Sequence, residues 1–201
     1  NMNDGHFIEL DASKNVTIKK NTFKGAVGET SVKEAINIDR PDLNTGGFNH
    51  CWTSYDATPN QDIYIVENVF SNLKRAIGSH KYTPGSWHNN VQILDNKIEN
   101  IKVDAICMMN WSNPVVKGNT IDRVEDLKDS GITMRGVKNP RVSMNIIKNC
   151  NQAMDIQPGS NYDDSGYDLA FNELDGEAIR LLSLNYIQNV TEDSVGVKLN
   201  E

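Results

Sequence analysis

The chain has 201 residues, a net charge of −7 at neutral pH and a hydrophobic content of 38%. This composition is typical of a folded domain, and the negative charge argues against a general nucleic-acid partner, because neutralising phosphates needs a basic surface. No apolar run approaches 18 residues, so no membrane span is expected, and the three cysteines lack metal-site spacing. Asparagine is unusually frequent, at 26 of 201 residues.

A pattern centred on asparagine recurs along the chain. An apolar alternation is followed by polar residues, Asn, any residue and another apolar residue, first in NVTIKKNTF (15–23) and last in GYDLAFNEL (166–174). After a first interval of 47 residues, successive asparagines are 28, 23, 26 and 27 residues apart. Intervals of this size indicate a solenoid, in which each unit buries its apolar face against its neighbours. The asparagines of the pattern are Asn21, Asn68, Asn96, Asn119, Asn145 and Asn172.

A second family of short strands lies between these repeats. Apolar residues alternate with polar ones, as in a half-buried strand, and no helical period persists. We therefore predict an all-β, right-handed parallel β-helix of about seven to eight coils, with the asparagines stacked as a ladder. The strands are FIELD (7–11), AINID (35–39), AIGSH (76–80), AICMM (105–109), GITMR (131–135), AMDIQ (153–157), AIRLL (178–182) and, as an eighth, SVGVK (194–198).

The segments EAINID (34–39), AIGSH (76–80) and Asn110–Trp111, with the turns between them, resemble the pectate-lyase-like family of right-handed parallel β-helix proteins. More narrowly, they look like secreted or cell-surface β-helix proteins of Gram-positive bacteria. That resemblance implies a secreted or cell-surface location. The group includes polysaccharide lyases, hydrolases, epimerases, phage tailspikes and adhesins. The catalytic motifs of its polygalacturonases and calcium pectate lyases are missing, so no catalytic role is transferred.

We expect residues 1–201 to form one β-helix domain that is part of a longer protein. The first strand starts by residue 7 with no capping helix before it, and an uncapped β-helix exposes its edge, so further domains are expected upstream. Two insertions, 40–61 and 81–90, leave the solenoid directly after two successive strands and should project from the same side.

The predicted strand register places polar side chains in rows on the outer face of the first strand of each coil. Asp39 and His80 are expected ~5 Å apart on adjacent coils, with Arg135 ~10 Å further on. A carboxylate–imidazole pair can transfer a proton, and a guanidinium can neutralise a uronate, so these three are the predicted catalytic residues. Asp155 and Arg180 extend the row. The alternative is an ordinary solvated face of a solenoid.

Aromatic residues cluster in and beside the insertions, where they would offer flat surfaces to sugar rings. The alternative is that the tryptophans close the loops as a small core. We considered calcium at Asp56 with Asp39 or Asp62, but no spaced ligand set is present, so neither a metal nor another cofactor is expected. Glu34, Asp104 and Glu177 recur before the A-I strands, which suggests a turn preference for at least two of them. The predicted substrate-binding residues are Glu34, Trp52, Tyr55, Asp56, Lys81, Tyr82, Trp87, His88, Trp111, Asp155 and Arg180.

These features favour an extracellular lyase or glycosidase acting on an acidic, uronate-containing polysaccharide. The alternative is a non-catalytic glycan-binding adhesin or phage tail-type module on the same scaffold, and a third possibility is a structural segment without a site. If a uronate polymer binds here, binding should tighten at mildly acidic pH, because His80 and His88 would gain charge as the pH falls toward 6.

Overall fold

The computed structural model describes residues 5–25, 34–39, 58–80, 86–157, 168–170, 172–174, 177–181 and 198–199. Within these ranges the chain forms three seven-stranded parallel sheets and no helix. Strands of one sheet come from successive coils, except that one coil contributes two short strands to the second sheet, Trp111–Ser112 and Val115–Lys117, which pair with the same neighbouring strand.

The strands of each sheet are as follows. The first sheet contains β1 (Ile8–Asp11), β4 (Glu34–Asp39), β7 (Arg75–Gly78), β10 (Ile106–Met109), β14 (Ser130–Arg135), β17 (Gln152–Gln157) and β20 (Glu177–Leu181). The second contains β2 (Lys14–Lys19), β5 (Gln61–Val66), β8 (His88–Leu94), β11 (Trp111–Ser112), β12 (Val115–Lys117), β15 (Arg141–Ser143) and β18 (Asp168–Ala170). The third contains β3 (Thr22–Lys24), β6 (Val69–Leu73), β9 (Lys97–Ile101), β13 (Thr120–Val124), β16 (Ile146–Lys148), β19 (Glu173–Leu174) and β21 (Lys198–Leu199).

The predicted β-helix and its asparagine ladder are both confirmed. Within the described residues the first and third sheets stack strands from seven coils and the second sheet from six, where seven to eight coils were predicted. Of the proposed eighth strand SVGVK (194–198), only Lys198 lies within the described residues, and with Leu199 it pairs with β19 in the third sheet.

The asparagine ladder occupies the corner between the second and third sheets. The main-chain N–H of Asn96 donates to Oδ1 of Asn119 at 2.9 Å, and Nδ2 of Asn96 donates to the same oxygen. Nδ2 also donates to the carbonyl oxygen of Ile65, in the strand that precedes the corner one coil earlier. The same arrangement links each ladder asparagine to the next from Asn68 to Asn172. The ladder therefore satisfies polar groups that the corner would otherwise bury without partners.

The residue before each ladder asparagine has an unusual backbone conformation. Glu67, Asp95, Gly118 and Met144 all have φ between 54° and 69°, in the left-handed region, which bends the chain sharply within one residue. Only one of them is glycine, so the hydrogen bonds of the ladder hold three ordinary side chains in this conformation.

The core is a stack of inward-facing aliphatic residues. Ile36, Ile77, Ile106 and Ile132 occupy equivalent positions on consecutive coils and are fully buried. In the third sheet, the Phe23 and Phe70 rings stack with centroids 4.9 Å apart. Because equivalent positions on successive coils are apolar, these side chains bury each other along the axis of the solenoid. No helix long and apolar enough to cross a membrane occurs in the described part of the chain.

Candidate functional site

The outer face of the first sheet has the register that the sequence predicts. Cα pairing aligns Glu9, Asn37, Gly78, Cys107, Thr133, Asp155 and Arg180 in one row. In the neighbouring row Asp11 pairs with Asp39, and Arg135 pairs with Met109 and Gln157. The structure also brings Asp39 and His80 together, with Oδ2 and Nδ1 3.0 Å apart.

This face is buried, which the sequence did not suggest. Asn37, Thr133 and Asp155 are all at most 3% exposed, although they point away from the core. Part of the cover is the side chain of Arg75, which lies across Gly78. A Cβ on Gly78 would come within 3.2 Å of Cδ of Arg75 and within 2.8 Å of the carbonyl oxygen of Cys107. The absence of a side chain at Gly78 therefore makes room for the guanidinium arm.

Three charged residues on consecutive coils form what we term the charged column, Glu34, Arg75 and Asp104. The Arg75 guanidinium donates to Oε1 of Glu34 through Nη1 and to Oδ2 of Asp104 through Nη2, the latter at 3.0 Å. Both carboxylates are buried. Asp104 also accepts hydrogen bonds from the Ser130 main chain and the Thr133 hydroxyl. Each buried charge is thus paired, as burial of ions in a protein requires.

Two histidines gather around the second oxygen of Glu34. Nδ1 of His6 and Nδ1 of His80 lie 3.5 Å and 3.6 Å from Oε2 of Glu34, and the two rings stack with centroids 5.7 Å apart. His6 precedes β1, whereas His80 follows β7, so the cluster joins two coils that are not adjacent. We call His6, Glu34, Asp39 and His80 the histidine–carboxylate cluster.

The electrostatics of this cluster keep His80 and Glu34 charged. Hydrogen bonds to Asp39 and Glu34 outweigh partial burial and raise the pKa of His80 to about 9. Burial alone would raise the pKa of Glu34, yet the hydrogen bond to His80 and the charge of Arg75 lower it to about 2. At neutral pH the pair is therefore an imidazolium beside a carboxylate.

A cleft of about 270 Å³ opens beside this cluster, at the edge between the third and first sheets. Asp129 is part of its wall, and burial together with the charges of Asp104 and Asp126 raises the pKa of that carboxyl to about 6. Leu127, two residues earlier in the same turn, is 70% exposed. The cleft is lined by Glu34, Lys74, Arg75, His80, Val103 and Asp129.

Several predicted binding residues belong to the scaffold. Trp111 is fully buried in the core and its indole N–H donates to the Ser79 hydroxyl at 2.8 Å. His88 is buried, and its Nδ1 accepts a hydrogen bond from the main-chain N–H of Asn60 at 3.0 Å. At this corner, between the first and second sheets, the ring nitrogen thus has the role that an asparagine Oδ1 has in the ladder. Neither ring is therefore presented to a ligand.

The remaining predicted residues have different positions. Asp155 is buried and accepts a hydrogen bond from Gln157, and Arg135 is half-buried two coils from His80. Trp87 is half-buried with Nζ of Lys138 4.3 Å from its ring centroid. Arg180 pairs with Asp155 in the sheet. Trp52, Tyr55, Asp56, Lys81 and Tyr82 lie outside the described residues.

Sequence reasoning missed Arg75 and His6. A signal for Arg75 was present, because the residue before each A-I pair is Glu34, Arg75 and Asp104 on three consecutive coils, an acid–base–acid series in one column. The recurrence of Glu34, Asp104 and Glu177 suggested a turn preference for at least two of them, while the base between the first two was overlooked. His6 had no such signal, because it lies outside the repeats.

The fold and its ladder define a right-handed β-helix protein. Residues 48–176 match the right handed beta helix region family, and the chain belongs to that family. Among curated proteins it is similar to the plasmin and fibronectin-binding protein A of Streptococcus pneumoniae (strain ATCC BAA-255 / R6), with 26% identity over 59% of this chain and 18% of that protein.

Two solved structures of PfbA, a surface adhesin of Streptococcus pneumoniae, have the same fold. One superposes with a TM-score of 0.63 at 19% identity, covering 97% of this chain and 52% of the other. The second has a TM-score of 0.69 at 20% identity, covering 92% and 48%. The chain thus spans about half the length of these structures and less of the curated relative. The two structures are described as those of a surface adhesin, which agrees with the predicted secreted or cell-surface location.

Proposed function

We propose that this chain is a non-catalytic adhesive module of a bacterial surface protein, which binds a host protein through the cleft and the turn beside it. The observation that carries the proposal is the protonation state of His80, which pairs with Asp39. A general base works best with a pKa near the operating pH, whereas the pKa of His80 is about 9 and its ring is held between two carboxylates. The imidazolium has no free lone pair with which to remove a proton from a sugar.

The buried groups on the outer face of the first sheet are also unsuited to catalysis. Burial raises the pKa of the Cys107 thiol to about 12, so the nucleophilic thiolate is absent at neutral pH. Asp155 is buried, and so are the two carboxylates of the charged column. A lyase or glycosidase needs acid and base groups that reach the substrate. These buried carboxylates instead stabilise the β-helix.

The choice of partner comes from the relatives. The curated relative is named for binding plasmin and fibronectin, so these two proteins are the first candidates here. The turn before β14 offers suitable chemistry, because exposed Leu127 lies beside a charged cleft. An apolar anchor with a polar surround is the usual anatomy of a protein–protein contact.

The test is a binding measurement with immobilised plasmin and fibronectin and the chain in solution, using wild type, Leu127→Ala and Met144→Ala. Met144 is the matched control, because it is 54% exposed but lies at the corner between the second and third sheets. We expect saturable binding to at least one protein, weakened about 10-fold or more by Leu127→Ala and unchanged by Met144→Ala. Absence of binding to both proteins would refute the choice of partner.

A parallel experiment tests the absence of catalysis. Uronate-containing and neutral polysaccharides are incubated with the chain, and products are followed by the ultraviolet absorbance of unsaturated uronates and by reducing ends. We expect neither signal above that of a His80→Gln variant. Product formed by wild type and lost in this variant would establish an enzyme and overturn the proposal.

A further inference from the structure

We propose that His6, Glu34 and His80 form a binding site for a divalent transition-metal ion, with Zn²⁺ as the best-suited ion. The inference goes beyond the adhesive function and is independent of it. One ring nitrogen of each histidine and one carboxylate oxygen of Glu34 all lie within 4.8 Å of one another.

The spacing of these atoms fits a small metal ion. Oε2 of Glu34 is 3.5 Å from Nδ1 of His6 and 3.6 Å from Nδ1 of His80. In a tetrahedral zinc site with metal–ligand distances of about 2.0–2.1 Å, neighbouring ligand atoms are roughly 3.3–3.4 Å apart. A contraction of a few tenths of an ångström therefore brings Oε2 to a coordinating distance from each nitrogen, and the two nitrogens themselves lie within 4.8 Å of each other.

The carboxylate of Glu34 provides an independent observation. The residue is 2% exposed, and its Oε1 is held by Arg75. Its Oε2 is buried and has no close hydrogen-bond partner, because the nearest donors are the two histidine nitrogens, in long contacts at 3.5 Å and 3.6 Å. A buried anionic oxygen without such a partner is costly, and a bound cation would satisfy it.

The surroundings complete the site. Oδ2 of Asp39 lies 3.0 Å from Nδ1 of His80, close enough to become a fourth ligand, and the adjoining cleft has room for a water in its place. Arg75 bridges Glu34 and Asp104, which fixes the carboxylate as an outer partner does in metal sites. The ligand is thus oriented before any ion arrives.

The donor set selects the class of ion. Two imidazoles and one or two carboxylates suit Zn²⁺ and its neighbours in the transition series, whereas Ca²⁺ prefers six to eight oxygens. In the metal-free form, Nδ1 of His6 donates to the Glu34 carbonyl and Nδ1 of His80 donates to Asp39. Coordination through Nδ1 leaves each ring with one proton, on Nε2: the imidazolium of His80 releases its Nδ1 proton to solvent, whereas the Nδ1 proton of His6 moves to Nε2 of that ring, and the carboxylates stay ionised.

The experiment uses the full chain, stripped with a chelator and then titrated with ZnCl₂ by calorimetry. We expect one saturable site per chain, at least about 100-fold weaker in His6→Ala and in His80→Ala, because even outer partners of a metal site contribute 10- to 100-fold in affinity. Glu67→Gln is the control, since this exposed carboxylate pairs with Lys19 and Lys20 far from the cluster.

Co²⁺ provides a second readout that does not depend on heat. A tetrahedral site gives intense visible absorption, which His6→Ala should abolish. His6 lies before the first strand, so its substitution leaves every strand pairing intact, and circular dichroism confirms folding. No saturable Zn²⁺ binding by wild type, or wild-type affinity in either histidine variant, overturns the proposal.

Discussion

Replacing Asn119 with alanine removes one rung from the middle of the ladder and tests whether the asparagines hold the coils together. Asn119 is fully buried, and its Oδ1 accepts from the main-chain N–H and from Nδ2 of Asn96. Its own Nδ2 donates to the carbonyl oxygen of Ile93 and to Oδ1 of Asn145, both at 2.9 Å. Alanine supplies none of these groups.

The expected cost follows from the partners left behind. The buried N–H of Asn96 loses its acceptor, which costs about 1–3 kcal/mol, and the bonds to Ile93 and Asn145 contribute about 1 kcal/mol each. Asn119→Ala should therefore lower the free energy of unfolding by about 3–5 kcal/mol. Asn21→Ala is the matched control: Asn21 is exposed at the first rung, and Oδ1 of Asn68 keeps its bond from the Asn21 main chain. That variant should cost less than about 1 kcal/mol.

The assay is equilibrium unfolding in urea, followed by circular dichroism, with the dependence of free energy on denaturant compared between variants. A lower midpoint at unchanged slope reports stability alone. Equal costs for Asn119→Ala and Asn21→Ala, or a cost below about 1 kcal/mol for the buried rung, would show that the coils are held by apolar stacking and that the ladder is incidental.

Three further predictions concern the outer face. Gly78→Ala should cost about 1–3 kcal/mol in the same urea assay, because its Cβ would meet the Cys107 carbonyl at 2.8 Å, whereas Gly5→Ala should be neutral because nothing lies within 4 Å. The pKa of His80 is raised from 6.5 to about 9, so the protonated ring stabilises the fold fully below pH 6.5 and that stability is lost as the pH rises through 9. With its side chain 32% exposed, we expect chelator-treated wild type to lose about 1–2 kcal/mol over this window, and an equal loss in His80→Gln would contradict the assignment. The pKa of Asp129 is raised from 3.8 to about 6, so the folded state loses stability as the pH rises from 3.8 to 6; Asp129→Asn should gain about 0.5–1 kcal/mol at pH 7 by thermal unfolding and nothing at pH 3.5.

The ladder and the register were predictable because both repeat along the sequence. Each Asn two residues before an apolar side chain marks one corner, and alternation within the strands fixes which side chains face out. The adjacency of Asp39 and His80 follows from that register alone, and the structure places their side chains in contact.

The orientation of Trp111 illustrates what the repeat does not encode. The preceding residue, Asn110, has a φ of 62°, which turns the chain so that the indole enters the core and reaches Ser79. A tryptophan beside an insertion and one that closes a corner look the same in sequence. His88 is similar, since only the structure shows its ring nitrogen taking the position of an asparagine oxygen.

The predicted acid dependence of uronate binding also changes in the light of the structure. It assumed that His80 would gain its charge as the pH falls toward 6, but two carboxylates already keep the ring protonated at neutral pH. Both carboxylates come from the two ends of β4 on the adjacent coil, and the register, which aligns His80 with Asp39, does not show that Glu34 also reaches the ring. Repeats do not report such contacts.

The charged column has a consequence for how this β-helix can grow by duplication of coils. A copied coil inserted between β13 and β16 would extend the ladder with another asparagine and leave Arg75 with both of its partners. The same insertion between the coils of Arg75 and Asp104 would move the carboxylate about 5 Å away and leave one side of a half-buried guanidinium without its partner. A coil can therefore be added in the carboxyl half of the solenoid, where the ladder accepts another asparagine. Near the cleft an added coil would separate the charges of the charged column, so lengthening of the fold is opposed there.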